Sequence, residues 1–162
     1  MKKTNAEIIK DIRRLEVEKN DILSEESETM TTTYGLDEKP LPSEYDYKKT
    51  QEALDNIDAE VRHLKSALAK SNANTMVKGF DMTINEALVY LAQLNSSLSR
   101  LQSMARRKEL TRTSGSYNSK AELTRTNYDI REVRKNYQKT QETITKLQMA
   151  IDLTNLTNEV DL

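Results

Sequence analysis

A chain of 162 residues, 36% hydrophobic and 31% charged, fits one domain with a core of its own. It contains no cysteine, which excludes disulfides, thiolate metal sites and cysteine nucleophiles. The net charge is −1, yet residues 100–139 hold eleven Lys or Arg against four Asp or Glu, a local +7 that leaves −8 elsewhere. That asymmetry has two readings: a basic half whose helices pair with an acidic half, or a groove for an anion.

Met1-Lys2-Lys3 looks like the start of a signal peptide, but the polar stretch from Thr4 to Arg14 follows where an apolar run should stand. No stretch is apolar over membrane-spanning length, so the expected setting is cytoplasmic, with no membrane partner.

Gly35, Gly79 and Gly115, with Pro40 and Pro42, fall between periodic segments and divide the chain into four helices. The first is expected over residues 4–28, with a stripe of Ile8, Ile12, Leu15 and Ile22 and with Lys19 in one heptad position. Residues 29–42 are rich in β-branched and turn residues and read as a loop or lid. The second helix is expected from about Ser43. Tyr47, Thr50, Leu54, Ile57, Val61, Leu64 and Leu68 alternate by three and four along it, and a polar run from Ser71 to Thr75 ends it.

The third helix opens with a capping box, Thr83-Ile84-Asn85-Glu86. Behind it Ala87, Leu91, Leu94, Leu98, Leu101 and Ala105 form one stripe, and Leu88, Val89 and Tyr90 widen the apolar surface toward more than one neighbour. After Arg107 the period breaks. Glu109-Leu110-Thr111-Arg112-Thr113 recurs as Glu122-Leu123-Thr124-Arg125-Thr126, with Ser114-Gly115-Ser116 between the copies. A β-hairpin-like excursion over residues 109–127 is one reading, and chance recurrence in a Thr- and Arg-rich segment is the other. The fourth helix is expected from about Asp129, with Glu132 as capping partner and a stripe of Ile130, Val133, Tyr137, Thr140, Ile144, Leu147 and Ile151. It is expected to fade over residues 152–155.

The expected fold is therefore all-α: a single domain over residues 1–162, an antiparallel bundle of four long heptad-patterned helices with a short β-hairpin-like excursion. Long stripes leave apolar edge for a second copy, so a homo-oligomer is expected.

No nucleotide-hydrolysing, dinucleotide-binding or nucleophile-elbow glycine motif occurs. His63 is the single histidine, and Glu60 precedes it by three. A metal site from these two would need a symmetry-related copy, and a surface histidine is the plainer reading. The acidic groups of the first two helices sit on solvent-type positions. Binding chemistry gathers instead at Arg106-Arg107-Lys108, Arg112, Arg125, Asn127 and Tyr128. Guanidinium forks take phosphate or carboxylate, a tyrosine ring stacks or bonds through its hydroxyl, and a helix start at Asp129 offers backbone N–H groups to an anion. The same arginines could instead pair with the Glu-rich helices. A nucleic-acid polymer is disfavoured by the near-neutral balance and 5% aromatic content.

Gly79-Phe80-Asp81-Met82-Thr83-Ile84-Asn85-Glu86-Ala87-Leu88, Tyr90-Leu91-Ala92-Gln93-Leu94-Asn95, Thr126-Asn127-Tyr128-Asp129-Ile130 and the tail from Asn155 to Glu159 resemble the septicolysin-like family of bacterial and phage proteins. Pro42-Ser43-Glu44-Tyr45-Asp46-Tyr47 and Leu64-Lys65-Ser66-Ala67-Leu68 fit the same pattern. The chain departs from it at Leu156, where the family pattern has a tryptophan nearby. The resemblance implies a helical protein without an established activity.

These readings converge on a non-enzymatic, homo-oligomeric protein that sequesters a small anionic, nucleotide-derived ligand, a sponge for a phage or bacterial immune signal. The residues expected to line its site are Asn72, Thr75, Tyr90, Gln93, Asn95, Arg106, Arg125, Asn127 and Tyr128, with no catalytic or metal-binding residue and no cofactor. The alternatives are an adaptor whose helices bind another protein, and a hydrolase of a nucleotide signal whose metal is held across a subunit seam.

Overall fold

The computed structural model describes residues 1–113 and 120–162. The chain is mainly helical, with four helices and two small antiparallel sheets among the described residues. Elements follow in the order β1 (Lys2–Thr4), α1 (Asn5–Thr29), α2 (Tyr47–Asn74), α3 (Ile84–Ala105), β2 (Leu110–Thr113), β3 (Glu122–Arg125), α4 (Ile130–Thr157) and β4 (Glu159–Asp161). They form two compact units, one of Met1–Thr75 with Asn155–Leu162 and one of Met76–Thr154.

In the first unit, α1 opens on a capping box that the apolar pattern alone does not announce. The Thr4 hydroxyl accepts from Glu7 N, and the Glu7 carboxylate accepts from Thr4 N at 2.7 Å. The predicted stripe is the buried one. Ile8, Ile12 and Leu15 of α1 meet Ile57 and Leu64 of α2, with Ile22, Val61 and Leu68 packed around them. Lys19, the polar member of the stripe, reaches across to Asp58 with both oxygens within 2.8 Å, so the helix pairing continues through an ion pair. The start of α2 lies later than Ser43. Asp46 takes the N-cap, accepting from Lys48 N and Lys49 N, and Tyr47 stands 63% exposed instead of in the seam. In the connection, the Tyr45 hydroxyl donates to Glu26. That bond holds the phenol pKa up at about 12.

The ends of the described chain are tied together. β1 and β4 pair antiparallel with Lys3 opposite Val160, the Met1 ammonium donates to Leu162 O, and Leu162 N donates to Met1 O. Neither three-residue strand carries an alternating pattern long enough to read from sequence.

In the second unit a tight turn leads into α3. Val77 N donates to Met82 O and Phe80 N to Val77 O, and Gly79 takes a left-handed φ of 81°, a region a side chain resists. The predicted capping box follows, with Thr83 N to Glu86 at 2.7 Å and Glu86 N back to the Thr83 hydroxyl at 3.3 Å. Val77, Ile84 and Ala87 are buried with Leu147 and Ile151 of α4, and Tyr90, Leu91 and Leu94 pack against them. Leu88 and Val89 do not join this cluster and stand 44% and 56% exposed in the single chain, whereas Tyr90 packs against it. The duplicated segments are strands that pair with each other: Leu110 faces Arg125, Thr111 faces Thr124, Arg112 faces Leu123 and Thr113 faces Glu122. The expected turn at Ser114-Gly115-Ser116 lies outside the described residues. α4 does not fade at residues 152–155. Ile151 and Thr154 are buried, and the Thr154 hydroxyl donates to Ala150 O while accepting from Lys78 N, which holds that turn of helix in place.

Candidate functional site

The basic segment begins where α3 ends. Helix C-termini leave carbonyls unpaired, and two side chains from downstream take them: the Tyr128 hydroxyl donates to Met104 O at 2.9 Å and Arg134 Nε to Ala105 O at 3.4 Å. These bonds draw the segment after β3 against the end of α3. Thr126 N to Glu109 O extends the β2–β3 ladder by one more bond. Between them lies a groove of about 550 Å³ lined by Arg107, Lys108, Thr111, Thr124, Arg125, Thr126, Asn127 and Tyr128. Its volume falls within the roughly 300–1,000 Å³ usual for small-molecule sites.

Three cations, Arg107, Lys108 and Arg125, share this groove. All six ion pairs among the described residues lie in the first unit, and none uses a residue of 100–139. The groove therefore carries positive charge that no carboxylate among the described residues neutralises by direct contact. The Thr126 hydroxyl oxygen at its wall is buried and has no hydrogen-bond partner among the described residues, a condition that costs free energy unless something completes it.

Of the nine residues expected at a site, the structure brings Arg125, Asn127 and Tyr128 together here. Arg107 and Lys108 join them. Arg106 does not line the groove; it is the exposed C-cap of α3, its backbone N–H bonded to Gln102 O. Tyr128 offers only its ring, because the hydroxyl is committed to Met104. Tyr90 packs into the hydrophobic cluster of the second unit. Gln93 is exposed on α3, and the exposed Asn95 amide bonds back to Leu91 O within its own helix. The N–H groups expected to greet an anion at the start of α4 are already taken. Asp129 accepts from Arg131 N at 2.7 Å and from Glu132 N at 3.4 Å, and it lines a smaller neighbouring hollow with Glu109. An anion placed there would face two carboxylates, so the attractive side of Tyr128 is the Arg107, Lys108 and Arg125 side.

The remaining two expected residues belong to the first unit, within a buried polar cluster that sequence reasoning did not anticipate. Asn5 is fully buried. Its amide donates to Asn155 Oδ1 at 3.2 Å and Asn72 Oδ1 at 3.5 Å, and its carbonyl accepts from the Ser71 hydroxyl at 2.8 Å and Asn158 Nδ2 at 3.5 Å. Thr75 sits beside Ser71 and lines, with His63, Lys70 and β4, a hollow of about 410 Å³. His63 is exposed there, as its surface reading implied. Among the described residues there is no group of three or more His, Asp or Glu side chains arranged to hold a metal ion.

No family model and no curated protein matches the chain. Its structure is similar to the crystal structure of a functionally unknown conserved protein from Corynebacterium diphtheriae, with a TM-score of 0.70 and 15% identity over 99% of this chain and 100% of that one. The likeness shows the fold alone. No helix among the described residues is long and apolar enough to cross a membrane.

Proposed function

We propose that the protein binds a small anionic, nucleotide-type ligand in the groove of Arg107, Lys108 and Arg125 and holds it without converting it. The observation that carries this reading is the convergence of three cations, unpaired among the described residues, in one groove of ligand size. Arg107 and Arg125 can each present a planar fork to phosphate oxygens, while Lys108 supplies a point charge. The Thr111, Thr124 and Asn127 polar groups line the same wall, and the Tyr128 ring, its hydroxyl anchored, is suited to stacking against a base. Holding a ligand unchanged requires a charge-matched groove and no general base or nucleophile. In the bacterial or phage setting that the septicolysin-like resemblance implies, such a protein would act as a sponge for a nucleotide signal.

Exposed Leu88 and Val89 on α3 support self-association as part of this reading, since paired apolar side chains in water favour cover. To test retention, the protein is incubated with a panel of mono- and oligonucleotide anions, passed through a desalting column and heat-denatured, and the released material is chromatographed. The reading predicts unaltered ligand released from the protein fraction. A chemically altered product would instead indicate an enzyme, and retention of none of the panel would favour an adaptor.

A further inference from the structure

Cross-strand partners in an antiparallel ribbon share a face, and residues two apart along a strand return to it. The β2–β3 register therefore puts Leu110, Arg125, Arg112 and Leu123 on one face, leucine opposite arginine in both rows, and Thr111 with Thr124 on the other. The leucines on this face are 55% and 67% exposed, and both arginines are exposed with no ion-pair partner among the described residues. Around them, residues 106–126 carry six Lys or Arg and two Glu, a local charge of +4.

From this juxtaposition we propose that the β2–β3 ribbon docks on the surface of an anionic lipid bilayer, with Leu110 and Leu123 entering the interface and Arg112 meeting lipid phosphates. The chequered pattern fits that occupant on both counts. Apolar side chains gain by leaving water for the headgroup–acyl boundary, while arginine stems lie along the same apolar layer and keep their guanidinium groups at the phosphate level. Each cation near an anionic surface strengthens attachment about fivefold. A polynucleotide would reward the arginines but give the two leucines nothing to bury against. A second copy of the same face would bring four arginines together with no carboxylate on the face to pair them. Surface docking needs no membrane-spanning helix, so it is compatible with the absence of one among the described residues.

The test is co-sedimentation of the full chain with vesicles of equimolar phosphatidylglycerol and phosphatidylcholine, with vesicles of phosphatidylcholine alone as reference. The protein is expected to pellet with the anionic vesicles and to stay in solution with the neutral ones. Leu110→Ser combined with Leu123→Ser should abolish pelleting, and Arg112→Ser, which leaves the groove-lining Arg125 in place, should weaken it roughly fivefold. Because the ribbon face is exposed, both variants should keep the parent melting temperature. If the double variant melts early, Arg112→Ser alone decides. No pelleting with anionic vesicles, equal pelleting with neutral ones, or parent-level pelleting by Arg112→Ser would overturn the proposal. So would retention of a short DNA duplex in place of the vesicles.

Discussion

Asn5 shows how one polar residue can organise a unit without offering anything to a ligand. Its amide and carbonyl oxygen are both used, within hydrogen-bond reach of Ser71, Asn72, Asn155 and Asn158, and its backbone N–H bonds Asn158 O. Replacing it by alanine would remove the acceptor of the Ser71 hydroxyl and the donor to Asn155 Oδ1 and leave a small void, while Asn158 keeps its 2.9 Å bond to Ser71 Oγ. Asn5→Ala is expected to cost about 2–3 kcal/mol of unfolding free energy, read as a lower urea midpoint at unchanged slope. A midpoint equal to the parent's would mean water replaces the amide at no cost. None of this was legible in the sequence, because a helix-start asparagine ordinarily faces solvent and its partners lie far along the chain. The groove residues were partly legible. Arg125, Asn127 and Tyr128 announce themselves as a fork, an amide and a ring in one short segment. Arg106 could not be told from Arg107 before the end of α3 was known, and the Asp129 cap over its own helix N-terminus follows from side-chain geometry.

Among the elements, the helices were the most readable because a stripe at three-and-four spacing has few other uses. Ile8, Ile12 and Leu15 in α1, Ile57 and Leu64 in α2, and Ile144, Leu147 and Ile151 in α4 are all buried as the period requires. The duplicated Glu-Leu-Thr-Arg-Thr segment left a hairpin and a chance recurrence both open, and the two copies pair as strands. What the stripes could not supply were the ends: Asp46 outcompetes Ser43 as a cap, and Thr154 keeps α4 going where a polar run suggested a stop. The caps themselves make a prediction. Thr83→Ala removes the acceptor for Glu86 N and should cost about 1 kcal/mol in unfolding free energy. Backbone and side-chain bonds from Thr83 lower the Glu86 carboxyl pKa, and those from Thr4 do the same for Glu7. A folded-state pKa below the unfolded one contributes stability above the unfolded value and loses it as pH falls through the folded value. Melting temperature should therefore fall on acidification through the carboxylate range, and Glu7→Gln with Glu86→Gln, which removes both titrating groups, should flatten that fall. A double variant with the parent's acid profile would show that the caps do not set it.

For the whole molecule, the uneven charge recorded in the sequence is the feature that separates a binding reading from a purely structural one. Among the described residues, the near-neutral chain keeps its ion pairs in the first unit and leaves Arg107, Lys108 and Arg125 without any. Like charges gathered in one groove repel one another, so removing one of these exposed cations should not destabilise the fold. The direct test is a set of thermal melts of the parent, Arg125→Ala and Arg106→Ala, with and without a panel of nucleotide anions. The groove reading predicts a ligand-induced rise in the parent melting temperature. It predicts that Arg125→Ala melts no earlier than the parent without ligand and loses the rise, while Arg106→Ala, outside the groove, retains it. An Arg125→Ala protein that melts early and still shows the full ligand-induced rise would contradict the account.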